Sequence, residues 1–210
     1  MIKILFIIVL CISIAGVSAQ TIRKPWSELT TSEKSAFVNA VKDLSSSDVA
    51  NLANEHATLF GNSVTTGIHI ASRFLPWHRI FLDFFEDLVQ AQDPDVTLPY
   101  WDWYEDDIIW TRSNTDLFKD GSSGYLGLFG YTIMGTGSPW SYTRGFSSST
   151  TWPPGVADLN ETSITVFSDD LEGQDDLEPH NQGHIFVGGT MNSRPSPGDP
   201  IFYLHHCMVD

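Results

Sequence analysis

The sequence predicts a mainly α-helical fold with long irregular loops. Apolar residues recur at helical spacing in several segments, and residues that favour helix starts come just before them. In contrast, the stretch of about residues 113–168 is rich in Gly, Ser, Thr and Pro and has no sustained periodicity, which predicts surface loops with a few short strands. The 210 residues suffice for one sizeable domain.

The first two helices are predicted from their caps. Thr30 and Glu33 form the pattern of a capping box, so a helix is expected from about Ser32 to Leu44. The run Ser45–Asp48 interrupts this helix and can cap a second one. One stripe of that second helix carries Val49, Leu52, His56 and Leu59.

The third helix has the clearest pattern. It is expected to start near Phe74, because Pro76 suits a first turn, and to end at Asp93 and Pro94. Its apolar stripe contains His78, Phe81, Leu82, Phe85 and Leu88. The aromatic run Leu98–Trp103 that follows cannot form a long regular element.

Two helices are expected near the end of the chain. Pro179 suits the first turn of a helix that contains His180 and His184. Asp199 and Pro200 then open a last helix, which contains His205 and His206.

Residues 1–19 have the pattern of a secretory signal peptide. Lys3 is followed by an apolar run and then by small residues at a cleavage site, and the run is too short for a membrane span. We therefore expect a secreted protein whose domain comprises residues 20–210, with no membrane association once the signal is removed.

The charge and cysteine content exclude several classes of function. The 26 acidic residues outnumber the 11 Lys and Arg, and the formal charge of −15 would repel nucleic-acid phosphates and anionic membranes. Two cysteines are too few for a disulfide scaffold or a thiolate zinc cluster. No protein partner can be inferred from the sequence.

The seven histidines predict a metal site. His180 and His184, four residues apart, would lie on one helix face, whereas His56 and His78 sit on apolar stripes of other helices. Taken singly, His56 and His78 would each be interpreted as an ordinary buried imidazole. Together they need a common partner, because burying so many titratable rings is unfavourable. Imidazole suits copper, zinc, iron or nickel, and the spacing does not choose among them.

Two motifs resemble the copper signatures of the type 3 copper proteins, which comprise tyrosinases, catechol oxidases and haemocyanins. The first contains His69 and the run Phe74–Arg79, and the second runs from His180 to His184 and continues with Asp199–His206. The run Leu98–Trp103 between them is a further hallmark of the family. The resemblance covers about residues 23–210 and is closest to tyrosinase.

The resemblance implies a four-helix-bundle core that holds a dinuclear copper site, with three histidines for each of two copper ions. By motif, the first ion takes His56, His69 and His78, and the second takes His180, His184 and His206. His206 is chosen over His205 because the family places this ligand seven residues after the aspartate that corresponds to Asp199. His205 is then expected near the substrate or hydrogen-bonded behind the ligands.

The family chemistry defines the expected activity. Two copper ions supply two electrons to O₂, and the enzymes hydroxylate monophenols or oxidise o-diphenols to o-quinones. In similar tyrosinases a glutamate and an asparagine hold a water that deprotonates the incoming phenol, and Glu172 and Asn181 match these catalytic positions. By their context alone, Glu172 could be a solvated surface acid and Asn181 an ordinary residue of a first helical turn.

Two alternatives use the same histidines. A haemocyanin-like reversible oxygen carrier needs the same six ligands, and a zinc hydrolase or structural metal site needs only some of them. The family pattern also continues beyond the final histidines, so the chain is expected to be a fragment, incomplete at its C-terminus. Because helix ends fray, we expect the second copper to bind weakly in this chain.

Overall fold

The computed structural model describes residues 22–62, 67–69, 72–104, 138–146, 161–172 and 178–210. The predicted signal peptide and most of the predicted loop region lie outside these ranges. Within them, regular structure is helical apart from one isolated parallel bridge between Pro25 and Tyr100. The predicted fold class, a mainly α-helical protein, is confirmed.

Six α-helices are present in the described residues. They are α1 Thr31–Lys42, α2 Ser46–Gly61, α3 Phe74–Gln90, α4 Ile164–Glu172, α5 Pro179–Val187 and α6 Ile201–Val209. Short 3-10 turns occur at Trp26–Glu28 and Ser196–Gly198. No described helix is both long enough and apolar enough to cross a bilayer.

The predicted caps form as expected. The Thr30 hydroxyl accepts a hydrogen bond from the Glu33 amide at 3.2 Å, and the Glu33 carboxylate accepts one from the Thr30 amide at 2.8 Å. Ser45 caps α2 by accepting from the Asp48 amide at 3.1 Å. The helix starts could therefore be predicted to within one residue from side chains that satisfy free backbone N–H groups.

Helix α4 corrects the prediction of loops that extend to about Ser168. It begins at Ile164 and has only nine residues. Ile164 and Val166 are exposed whereas Ser168 and Glu172 are buried, so the apolar residues of this short segment do not mark its buried face. Packing against α5 stabilises it, as short helices require. By contrast, residues 138–146 are irregular, as predicted.

The core is formed largely by α3 and α6. The rings of Phe81 and Phe202 meet edge to face with centroids 6.0 Å apart, and the amide of Trp101 donates to the carbonyl of Leu204 at 3.0 Å. Trp101 and Trp103 are buried. The aromatic run Leu98–Trp103 thus lies against α6 without regular secondary structure and covers this last helix.

A buried ion pair fixes the start of α6. Arg144 donates two hydrogen bonds of 2.7 Å to the Asp199 carboxylate, and both side chains are 0% exposed. The same carboxylate accepts from the Ile201 amide at 2.9 Å. Asp199 therefore ties the segment of residues 138–146 to the first turn of α6.

The far end of α6 is also held. The Asp210 carboxylate accepts hydrogen bonds from Arg79 at 2.6 Å and from Arg23 at 3.2 Å, and the Asp210 amide donates to His206 at 2.9 Å. These contacts join the last turn of α6 to Arg23 and Arg79. Weak binding of the second copper stays a prediction.

Replacing Asp199 by Asn should destabilise the fold by about 3–5 kcal/mol, because Arg144 would keep a buried charge without its counterion. Urea unfolding followed by circular dichroism measures this change. Asp43→Asn, at an exposed position after α1, is the matched control and should change stability by less than about 0.5 kcal/mol. Equal stability of the two variants would contradict this account of α6.

Candidate metal centre

Three histidines form the first cluster. His56 comes from α2, His69 from the segment before α3, and His78 from α3. Their ring centroids are 5.1–5.7 Å apart, and the Nε2 atoms of His56 and His69 are separated by 3.2 Å. One nitrogen from each ring lies within 4.8 Å of the others, a spacing that could hold one metal ion.

The second cluster has four histidines. His180 and His184 come from α5, and His205 and His206 from α6. The Nε2 atom of His184 lies 3.0 Å from that of His180 and 3.4 Å from that of His206. The i, i+4 spacing on α5 therefore brings the two rings together, as the sequence predicts.

The two clusters face each other. The rings of His78 and His206 stack with centroids 4.4 Å apart, and those of His69 and His180 are 6.1 Å apart. Rings from both clusters thus surround one common centre between α2, α3, α5 and α6. This arrangement can place two ions next to each other.

Backbone carbonyls orient three of the imidazoles. The Nδ1 atom of His56 donates to the carbonyl of Arg194 at 2.6 Å, His78 to Phe74 at 2.9 Å, and His184 to Met191 at 2.6 Å. A carbonyl only accepts, so each Nδ1 carries the proton and each Nε2 keeps its lone pair. Such bonds are typical of histidines that ligate a metal through Nε2.

Two buried ring nitrogens point to a missing partner. Among the described residues, Nε2 of His78 and Nδ1 of His206 have no hydrogen-bond partner. Buried polar groups are rarely unpaired, because desolvation is unfavourable unless something replaces water. A cation bound by Nε2 of His78 satisfies this requirement for that ring, and imidazole-only ligand sets fit copper. In His206 the nitrogen that faces the other imidazoles is Nε2, which lies 3.4 Å from Nε2 of His184.

Burial keeps the histidines neutral. It lowers the pKa of His56 to about 3, of His69 to about 4 and of His184 to about 3. The pKa values of the other four buried histidines are also lowered well below 6.5, chiefly by desolvation. At neutral pH the lone pairs are therefore available to a metal.

His205 uses both of its nitrogens within the protein. The indole of Trp103 donates to Nδ1 at 3.2 Å, and Nε2 donates to the carbonyl of His180 at 3.1 Å. A methyl group at Gly183 would lie 2.2 Å from the His205 ring, so glycine permits this close approach. His205 thus acts as a hydrogen-bonded support for α5, which leaves three histidines in the second cluster.

Glu172 and Asn181 lie at the site, as predicted. Glu172 is 2% exposed, and its carboxylate contacts Nδ1 of His69. Asn181 donates to the Glu172 carbonyl at 2.7 Å and accepts from Nδ1 of His180 at 3.0 Å. Each side chain therefore orients one imidazole, and Glu172 is a buried acid rather than a solvated surface residue.

A cavity of about 420 Å³ opens onto the histidines. Six of the eight predicted site residues line it, and the other two, His78 and His206, are buried. Met191, which belongs to the second motif, also lines it, whereas sequence reasoning missed Phe60, Ile185, Asn192, Ser193 and Arg194. The proximity of residues 192–194 to the second motif was the available signal. Met191 and Arg194 also contribute backbone carbonyls, and because every residue has one, the sequence could not reveal this role.

Acidification should destabilise the metal-free chain. The buried histidines have folded-state pKa values below the unfolded value of about 6.5, so their contribution to stability is present above pH ~6.5 and lost as the pH falls. Each histidine that takes up a proton on unfolding lowers stability by up to about 1.4 kcal/mol per pH unit. Urea midpoints between about pH 7.5 and pH 5.5, above the range of ordinary carboxylates, measure this loss. A constant midpoint would show that the rings are not buried as described.

The chain matches the common central domain of tyrosinase over residues 45–144 and 139–210. It is 32% identical to a tyrosinase of Streptomyces lincolnensis, over 90% of this chain and 80% of that protein. It is 34% identical to a tyrosinase of Streptomyces galbus, over 89% and 79%.

More distant matches extend the comparison. Grixazone synthase of Streptomyces griseus is 29% identical over 90% of this chain and 81% of its own length. A solved polyphenol oxidase variant from Thermothelomyces thermophila shares the fold with a TM-score of 0.57 at 21% identity, covering 90% of this chain and 68% of that one. Together with the two facing histidine clusters, these matches establish that the chain belongs to the tyrosinase family of copper oxidoreductases.

Proposed function

We propose that this copper oxidase holds two copper ions and uses O₂ to act on phenols. The observation that carries the proposal is the pair of facing triads, joined by the 4.4 Å stacking of His78 on His206. The proposed ligands are His56, His69 and His78 for one ion, and His180, His184 and His206 for the other.

The proposed reactions are hydroxylation of monophenols, oxidation of o-diphenols to o-quinones, or both. When bound, the copper pair would supply the two-electron exchange with O₂. The chain itself contributes neutral imidazoles in fixed orientations and a cavity of about 420 Å³ with an aromatic and aliphatic wall at Phe60 and Ile185. Both features favour a planar phenol that enters with its hydroxyl group towards the histidines.

Glu172 is the proposed proton acceptor, with Asn181 beside it. Both side chains line the cavity, and Glu172 is buried next to His69. A phenol with a pKa of about 10 must lose its proton to react readily, and a carboxylate can take it up through a water held with Asn181. The contact with His69 gives Glu172 a second task, which is to orient that imidazole.

An oxygen carrier of the haemocyanin type is not favoured. The similar proteins named above are called tyrosinase, grixazone synthase and polyphenol oxidase, which are names of enzymes.

We also propose that residues 1–19 direct secretion of the protein. Expression of the full chain, followed by N-terminal sequencing of exported protein, tests that proposal: cleavage after Ala19 supports it, and retention of the segment contradicts it.

Removing one ligand from each triad should abolish oxidase activity. We expect His78→Ala and His184→Ala each to lose bound copper and to lower turnover of tyrosine and catechol by more than about 100-fold, because in either variant one ion would keep only two imidazoles. Bound copper per chain and the rate of quinone formation are the measurements. Asn54→Ala, at an exposed position of α2, is the control and should retain both. Full activity of either histidine variant would remove that residue from the ligand set.

Glu172→Gln should impair proton transfer more than copper binding. The amide keeps the shape of the side chain but cannot accept a proton, so tyrosine hydroxylation at saturating copper should fall by about 10²-fold or more. Asp169→Asn, at an exposed position of the same helix, should leave the rate unchanged. If Glu172→Gln lowers copper affinity without changing the rate at saturating copper, Glu172 only orients His69.

A further inference from the structure

We propose that Arg194 makes this site selective for anionic phenols, in which a short side chain carries a carboxylate. The guanidinium would bind the carboxylate at the cavity rim while the phenolic hydroxyl faces the histidines. The inference rests on the proposed function, because it names the substrate class of the same cavity.

Arg194 is held in place by its backbone. Its carbonyl accepts the hydrogen bond from Nδ1 of His56 at 2.6 Å, and Pro195 restricts the backbone on its other side. The position of this residue is therefore coupled to that of a proposed copper ligand. The base of its side chain is thus fixed at the cavity, which the residue lines.

The guanidinium lies one aromatic ring away from the first cluster. Its central carbon is 5.9 Å from the centroid of the Phe60 ring, and the Phe60 ring is 4.5 Å from that of His69. Its Nη1 atom would be 3.2 Å from a methyl group at Gly61, so it lies close to the bare end of α2. Aromatic contact and this close approach limit the positions of the charge.

The charge of Arg194 is available to a ligand. Its side chain is exposed, and it forms no ion pair with any of the residues that the structure describes. Arginine presents a planar set of donors that can bind both oxygens of a carboxylate. Asn192 and Ser193, which are also exposed at the rim, offer further polar groups beside it.

The electrostatics of the cavity set the orientation of such a ligand. The protein has a formal charge of −15, which by itself disfavours the approach of an anion. Arg194 is the one arginine or lysine among the described residues lining the cavity, and the buried Glu172 is the one acid. Arg194 therefore attracts a carboxylate to the rim, and Glu172 opposes a carboxylate placed beside it in the interior. With the carboxylate held at the rim, the phenol ring extends inwards and its hydroxyl group faces the histidines, where the proposed copper ions carry positive charge.

A matched pair of substrates tests this selectivity on the copper-loaded full chain. Dihydrocaffeic acid is an anionic catechol, and its primary amide has the same shape without the charge. We expect Arg194→Gln to raise KM for the acid by about fivefold with kcat unchanged, as suits an exposed ion pair, and to leave KM for the amide unchanged. Arg194→Glu should raise KM for the acid further. Lys42→Gln removes an equal charge from an exposed position of α1 and should change neither substrate's KM.

Binding of hydrocinnamate, which lacks phenolic hydroxyls, supplies a readout without turnover. NMR titration of the copper-loaded protein should show tighter binding of hydrocinnamate than of its amide, and Arg194→Gln should remove the difference. Salt should weaken only the binding that depends on Arg194.

The outcomes separate the two proposals. If the wild type oxidises both catechols with the same KM, and the Arg194 variants do not change it, the role of Arg194 is overturned while the oxidase function stands. If neither catechol is oxidised but hydrocinnamate binding depends on Arg194, the anion site stands and the proposed function fails. If neither catechol is oxidised and hydrocinnamate binding does not depend on Arg194, both proposals are overturned.

Discussion

The convergence of buried, neutral imidazoles on one centre is the constraint on which the rest of this structure depends. Three of the proposed ligands donate through Nδ1 to backbone carbonyls, and His69 and His180 are oriented by Glu172 and Asn181. These contacts fix the tautomers, so that Nε2 lone pairs face the centre. Burying a polar ring nitrogen away from water costs free energy unless it forms a hydrogen bond or binds a cation.

The scaffold around the rings is rigid where the metal centre requires it. Aromatic packing joins α3 to α6, and the buried pair of Arg144 and Asp199 fixes the start of α6. Trp103 and His205 then connect the irregular aromatic run to α5 through the carbonyl of His180. Ligands from α3, α5 and α6 are thus held in one geometry by contacts that do not involve the metal.

The segment of residues 191–194 connects this geometry to the cavity entrance. Its carbonyls at Met191 and Arg194 orient one imidazole in each cluster, and its side chains form part of the rim. This short segment at the rim is therefore hydrogen-bonded to one proposed ligand of each ion. A charged side chain placed here can act on substrate binding without replacing any group that holds the metal.

Much of this architecture could be predicted from the sequence, because its determinants are local. Capping side chains at Thr30 and Ser45 fixed the starts of two helices, and the i, i+4 spacing of His180 and His184 placed them on one face. The motifs also identified Glu172 and Asn181 as site residues, and both lie at the cavity. The ligand set itself, the two copper ions and secretion remain predictions.

Only the tertiary structure decided the rest, since it depends on contacts between distant segments. Helix α4 was missed because exposed Ile164 and Val166 obscure its periodicity and packing on α5 stabilises it. Residue identity carries no signal for a carbonyl acceptor, so the support of His56 by Arg194 could not be predicted. The family resemblance already separated His206 from His205, but the physical reason is tertiary, because Trp103 and the His180 carbonyl, which lie far from His205 in sequence, occupy both of its nitrogens.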